Sequence, residues 1–174
     1  MSSQLFDDRA VDDAAARPRY PVTLTDRLAA DLPTDRTLRV LAAAAGTGTV
    51  LDSLIPALGA RHDYVAIDTS PGLTEVGRRR FPDVHWRVEP VEPVLERLYA
   101  ELDLITVGQA LHRLERDRFL RATRGALRPG GLLAVLQHEA APDVSEELSA
   151  VFGADAVEEV AVPGAARMTL ARRG

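Results

Sequence analysis

Three groups of residues in this chain have types and spacings that can do chemistry. The stretch "VLAAAAGTGTVLDSL" (40–54) carries an apolar run into Gly46-Thr47-Gly48 and leaves as a helical pattern. Such a turn offers free backbone N–H groups and the positive end of a helix to a ligand. Gly46 and Gly48 permit close backbone approach and unusual φ. Twenty positions after Gly48, at the end of the next apolar run, stands Asp68, where a carboxylate can accept both hydroxyls of a ribose. The third group is Gln109 and His112 after a fourth strand candidate, with His138 and Glu139 after a fifth. In open α/β sheets, ligands sit beyond the carboxyl ends of the strands. These four side chains are therefore expected to converge on one pocket. An imidazole there suits proton transfer at neutral pH.

The elements that must hold these residues follow from the hydrophobic pattern. Strand candidates are "LRVLAAA" (38–44), "YVAID" (64–68), "VHWRV" (84–88), "LDLITVG" (102–108) and "GLLAVLQ" (131–137). Between them lie the helical patterns "TVLDSLIPALG", "GLTEVGRRRF", "VLERLYAEL" and "RDRFLRATRGAL", the last ended by "RPGG". Strands alternating with helices of this length predict βαβ units and a parallel sheet. In the tail, "AVEEVAV" and "ARMTLARR" flank "PGA", which predicts an antiparallel hairpin on one edge. Residues 1–22 read as an arm, and 23–174 as one domain.

Composition narrows the function. With 174 residues there is room for one full domain and its core. Cysteine is absent, which rules out disulfides and thiolate metal sites. The four histidines include no i, i+4 pair, so no metal site is expected. His62 and His85 are read as surface residues. The formal net charge is −5, and the densest basic cluster, "GRRRF" (77–81), reads as the solvated end of a helix. Nucleic acid is therefore not an expected partner. No stretch approaches a membrane span and the first residues lack an apolar signal core, so a cytoplasmic protein is expected. Leu51 stands where a dinucleotide loop has its next glycine, and no second nucleotide-binding half follows. A nucleoside with a short tail suits the loop better.

From about residue 6 to 138 the chain resembles the class I S-adenosylmethionine-dependent methyltransferases, especially small-molecule members of the trans-aconitate and methyltransferase type 11 kind. "ARPRYP" (16–21) is similar to their "RPxYP" segment, "VLAAAAGTG" to "VLDVGCGTG", and "AIDTSPGL" to "GVDPSPAM". "FPDVHWRVEPVEP" resembles "FPDVxFxVGDAEALP". "LDLITVGQALHRLERDRFLRATRGALRPGGLLAV" matches "FDLVTAAQALHWFDxxRFLxEARRVLRPGGxLAV" nearly residue for residue. The resemblance implies a Rossmann-like, mostly parallel seven-stranded sheet of order 3-2-1-4-5-7-6, strand 7 antiparallel, with helices on both faces. It implies S-adenosylmethionine as cofactor, held by Arg17, Ala44, Gly46, Thr47, Gly48, Asp68 and Thr69. His112, Gln109, His138 and Glu139 would then face a small-molecule substrate.

Departures from the family pattern fall on cofactor contacts. Its loop acid is Ala42 here, its first loop glycine is Ala44, and the acid facing the adenine amino group is Pro90. If residue 44 needs left-handed geometry, alanine adds roughly 1–2 kcal/mol. Each lost contact is worth about 1–1.5 kcal/mol, so three would move a micromolar ligand toward roughly millimolar. Only "EAAPDVSEELSAVFGAD" lies between the fifth strand and the hairpin, about one helix. The pocket is then covered by the N-terminal arm, by a second copy or partner subunit, or by nothing. Three readings fit these residues. One is a methyltransferase acting on a small molecule, in specialised metabolism. Another is a methyltransferase-fold enzyme that catalyses cofactor-independent cyclisation, isomerisation or elimination. The third is a non-catalytic homologue that binds a partner.

Overall fold

The apolar runs become seven strands in the computed structural model, which describes residues 19–138 and 140–174. They are β1 (Arg39–Ala43), β2 (Asp63–Asp68), β3 (His85–Val88), β4 (Leu102–Gly108), β5 (Leu127–His138), β6 (Val157–Val162) and β7 (Ala166–Arg172). The helices are α1 (Val22–Ala30), α2 (Thr49–Leu58), α3 (Pro71–Arg80), α4 (Val91–Leu95), α5 (Arg116–Ala126) and α6 (Ser145–Phe152). The sheet order is β3-β2-β1-β4-β5-β7-β6. Pairs from β3 through β5 are parallel, and β7 runs antiparallel to both β5 and β6. The terminal hairpin turns through Pro163 and Gly164, as the turn signal predicts.

Both faces of the sheet are covered, so central β4 is buried almost throughout. Leu104 belongs to the core layer on one face, with Leu24, Leu28, Leu54 and Trp86. Its neighbour Ile105 packs with Leu95, Phe119, Leu133 and Leu148 on the other. This alternation is the period-2 geometry of a strand. In α5 the stripe Phe119, Leu120, Thr123 and Ala126 is the buried face. Ser70 caps α3 by accepting the Leu73 N–H at 3.3 Å, with Pro71 opening the helix.

Three expectations change. "VLERLYAEL" is helical only to Leu95, because the chain turns after α4 and reaches Ala100 at φ +52°, leaving Tyr99 exposed. The fifth strand starts before "GLLAVLQ": α5 ends ahead of "RPGG" as expected, but "RPGG" is taken into β5 as an irregularity, with the register against β4 shifting between Leu102 and Leu104 and Gly130 at φ +79°. His62 is buried and not a surface residue. Its Nδ1 accepts the Leu38 N–H at 3.1 Å, and its Nε2 lies 3.1 Å from the Leu58 carbonyl oxygen, tying α2 to the start of β1.

At the end of β4 away from the glycine loop, Asp103 is a buried carboxylate. It accepts from Arg36 Nη2 at 2.5 Å, from the Arg39 N–H at 2.7 Å and from Arg128 Nη1 at 3.4 Å. Burial alone pushes its pKa up, but these donors outweigh it and hold the pKa below the usual carboxylate value. A depressed carboxylate stabilises the fold at pH above its unfolded pKa, and that contribution is lost as pH falls through the folded one. Asp103→Asn should therefore lower the Tm at neutral pH, and its gap to the wild type should close below about pH 4. Glycines give a second check. A Cβ at Gly77 would overlap the Trp86 ring, whereas one at Gly125 in α5 meets nothing within 4 Å. Urea unfolding should show Gly77→Ala destabilising by about 1–3 kcal/mol. Gly125→Ala should instead stabilise by roughly 0.5 kcal/mol.

Candidate cofactor cleft

The glycine loop is shaped by hydrogen bonds between the ends of β1 and β2. Ala45 N–H donates to the Ile67 carbonyl at 3.0 Å, and Gly48 N–H to the Ala45 carbonyl at 2.9 Å. Asp68 joins the two loops. Its Oδ2 accepts the Gly46 N–H at 2.8 Å, and its Oδ1 accepts the Ser70 N–H at 2.9 Å. An ionised carboxylate has about four acceptor sites, so these bonds leave lone pairs for a ligand's hydroxyls. The chain passes through left-handed φ at Ala44 (+45°), Gly46 (+56°) and Gly48 (+88°). Residue 44 thus has the geometry that favours glycine, and alanine carries the strain there.

Beneath the loop lies an aromatic support. A Cβ on Gly48 would come within 2.6 Å of Phe81 Cε2, so only glycine lets the ring press this close. Arg80 Nη1 donates to the Thr47 carbonyl at 2.7 Å and to Thr47 Oγ1 at 3.3 Å. Arg80 also pairs with Asp52 in α2 and lies over the Phe81 ring. The arginines of "GRRRF" are exposed at the helix end, as expected: Arg78 and Arg79 pair with Glu75, and Arg80 in addition anchors the loop. Thr47 is buried and spends its hydroxyl on that anchor.

Above the loop opens a cleft of about 400 Å³, within the usual range for small-molecule sites. Ala44, Gly46, Thr47, Gly48, Asp68 and Thr69 all line it, as do Gln109 and His138. The structure does not bring His112 there. It lies on the short 3-10 turn Leu111–Arg113 with its side chain exposed and outside the cleft lining, because that turn directs Leu111 into the core instead. Arg17 and Glu139 fall outside the described residues. Of the expected four-residue convergence, Gln109 and His138 meet at the cleft. Among the described residues no cluster of three or more metal-ligating acids and histidines forms.

Two further cleft residues, Tyr20 and Glu92, carried no marked signal in the sequence. Tyr20, within the segment assigned to the arm, is buried and stacks on the His138 ring at 5.7 Å between centroids and 17° between planes. Its hydroxyl donates to the Leu136 carbonyl at 3.4 Å and fills the space that a Cβ on Gly108 would need. The only sequence signal for this role was its place in "RPRYP". Glu92, also buried at the cleft, accepts the Glu115 N–H at 3.1 Å and so holds the start of α5. Pro90 lines the cleft without an acceptor side chain, and neighbouring Glu89 is paired with Arg87 at 2.5 Å.

A Cβ at Gly46 would meet nothing within 4 Å among the described residues, so on their side the loop opens onto free space. Together with the acceptor sites left on Asp68, this cradle fits an adenosyl group. A profile for a methyltransferase domain matches residues 41–133, more than half of the chain. The chain belongs to the class I S-adenosylmethionine-dependent methyltransferase family. An uncharacterised methyltransferase-like protein of Schizosaccharomyces pombe is 29% identical over 134 residues, which are 75% of this chain and 50% of that protein. The chain thus spans about half the length of that relative. A methyltransferase structure from Geobacter sulfurreducens superposes with a TM-score of 0.70 at 16% identity, covering 99% of this chain and 88% of that one. The trans-methyltransferase CalH, solved with S-adenosylhomocysteine, gives 0.67 at 19% identity, over 88% of this chain and 55% of its own.

The loop geometry has measurable consequences. Ala44→Gly removes about 1–2 kcal/mol of left-handed strain against roughly 0.5–1 kcal/mol of added unfolded-state entropy. Denaturant unfolding should therefore show the variant up to about 1 kcal/mol more stable. Arg80→Ala should leave the sheet intact but speed amide exchange at Gly46, Thr47 and Gly48.

Proposed function

We propose that this chain binds S-adenosylmethionine along Gly46–Gly48 and transfers its methyl group to a small-molecule acceptor. The observation that carries this reading is the Asp68 carboxylate, which clamps the glycine loop and still has acceptor sites facing the cleft. In the bound state, Gly46, Thr47 and Gly48 would border the ligand with main chain, and Asp68 would take the ribose hydroxyls. Ala44 and Thr69 line the same cleft, and Arg17 belongs to the arm that precedes it. When bound, the cofactor supplies an electrophilic methyl on a sulfonium. The protein's own work is then to position the acceptor in line and to take its proton. His138 is the base in this proposal, because its ring lines the cleft and Tyr20 fixes its plane. Gln109 borders the same space and orients the acceptor, and Glu139 follows His138 in sequence. A cleft of about 400 Å³ favours a small acceptor over a macromolecule. A setting in specialised metabolism rests on the sequence resemblance to small-molecule members. No helix among the described residues is long and apolar enough to cross a membrane.

A second reading has one specific observation in its favour. Ala42 and Pro90 line the cleft where the family pattern has acids, so the cofactor has fewer side-chain handles. On that reading His138 and Gln109 would serve a proton transfer without the cofactor.

Calorimetry with S-adenosylhomocysteine tests the proposal. Binding to the wild type is expected, weakened by about 1–3 kcal/mol in Asp68→Ala. Equal affinity in both proteins would show that the ligand lies elsewhere. With S-adenosylmethionine and a panel of small phenols, amines and carboxylic acids, turnover should release S-adenosylhomocysteine. His138→Ala should lower that rate about 10²–10⁴-fold, and His112→Ala far less. Turnover by nucleoside-stripped protein would favour the second reading.

A further inference from the structure

Resting on the reading of this cleft as an adenosyl site, we infer that its β4 wall is a carboxylate-binding end. The groups are the Thr106 hydroxyl and the Gln109 amide, with the Arg113 guanidinium at the mouth. Thr106 is fully buried and lines the cleft, yet its Oγ1 has no hydrogen-bond partner among the described residues. Gln109 Nε2 is likewise buried at the cleft and unpartnered among them. Native structures leave few buried polar groups unpaired, because each such group is destabilising until something meets it. The Gln109 main chain is held at φ +54° with its N–H donating to the Leu136 carbonyl at 3.0 Å, so the amide is placed at the expense of backbone strain. Arg113 lines the same cleft, exposed, and makes no ion pair among the described residues.

The chemistry of these groups selects the ligand. The amide nitrogen and the guanidinium only donate, and a threonine hydroxyl can donate as well. Beside Thr106 the neighbouring strands offer no side-chain acceptor, since it stands in register with Ala42 on β1 and Ala134 on β5, and His138 at the end of β5 is the neutral acceptor that shares the cleft. The nearby Glu115 carboxylate is engaged by Arg118 at 3.1 Å. The other acids of the cleft, Asp68, Glu89 and Glu92, lie at the ends of β2 and β3 or in α4. One wall thus presents donors in excess. Its complement is a group that only accepts and carries negative charge, and a carboxylate can take several such donors at once. It can come from the amino-acid tail of the cofactor or from the acceptor substrate.

Calorimetry separates the two sources. The probes are S-adenosylhomocysteine, 5′-methylthioadenosine (the same adenosyl thioether without the amino-acid tail) and succinate. The proteins are wild type, Thr106→Val, Gln109→Glu and Arg113→Ala. Thr106→Val should keep or raise the Tm, because its hydroxyl has no partner among the described residues, so any binding loss is not unfolding. If the tail supplies the carboxylate, the variants lose about tenfold or more in affinity for S-adenosylhomocysteine and little for 5′-methylthioadenosine. If the substrate supplies it, both adenosyl affinities stay unchanged, and succinate binding to the S-adenosylhomocysteine-loaded wild type is lost in the variants. Wild-type behaviour of all three variants toward both S-adenosylhomocysteine and succinate overturns the inference. A wild type that binds neither adenosyl compound overturns the cofactor reading instead. Succinate binding to the bare cleft, lost or kept in the same variants, then decides this one.

Discussion

The Asp68 carboxylate is the joint on which the cleft depends. It sits at the end of β2 and accepts one backbone N–H from the loop after β1 and one from the loop after β2. A carboxylate receiving two N–H donors makes strong, charge-assisted bonds and fixes the direction of both loops at once. The left-handed run through Ala44, Gly46 and Gly48 is held open by that joint. Arg80 and Phe81 support it from the other side, so the loop is clamped between a carboxylate above and an aromatic plug below. A hydroxyl-bearing ligand reaching Asp68 would meet an acceptor already oriented by the fold, which would lower the ordering entropy of binding.

The two ends of the sheet divide the labour. At the end bearing the cleft, polar groups are left open: Asp68 has spare lone pairs, and Thr106 and Gln109 have unpaired atoms among the described residues. At the opposite end, Asp103 is saturated by Arg36, Arg39 and Arg128 and serves cohesion. Thr106 and Asp103 belong to the same buried strand, β4, whose apolar residues lock its register against β1 and β5. A rigid strand with one finished and one unfinished end is a sound platform for a site, because groups on such elements hold their geometry better than groups on loops.

The departures from the family pattern are consistent with this arrangement. Ala42 leaves the cleft floor beside Thr106 without an acid, and Pro90 removes an acceptor from its rim. What remains is main chain around Gly46, the Asp68 carboxylate at the loop, and the unpaired polar atoms of Thr106 and Gln109 among the described residues. Tyr20 packs into the same space and stacks against His138, which couples the segment entering α1 to the end of β5.

The strands, the terminal hairpin and the glycine turn were legible in the sequence, because each follows from local periodicity or turn chemistry that survives without tertiary context, whereas the strand order was implied by the family resemblance. Asp68 and the loop glycines were legible for the same reason, as they sit at fixed offsets along one βαβ unit. Local pattern could not say where a side chain points once the chain turns. His112 and Gln109 are three residues apart, and the 3-10 turn sends one outward and keeps the other at the cleft. Nor could it say which polar residue finds a partner. His62 and Arg80 looked like surface groups and became anchors, because α2 and the glycine loop bring carbonyls and N–H groups to them from distant positions. Thr106 reads as an ordinary strand residue until the register places methyl groups on both sides of its hydroxyl. The sequence by itself determined the scaffold and the loop that opens it. Tertiary packing alone decided which groups are spent on the fold and which remain free for a ligand, since that depends on contacts between residues far apart in the chain.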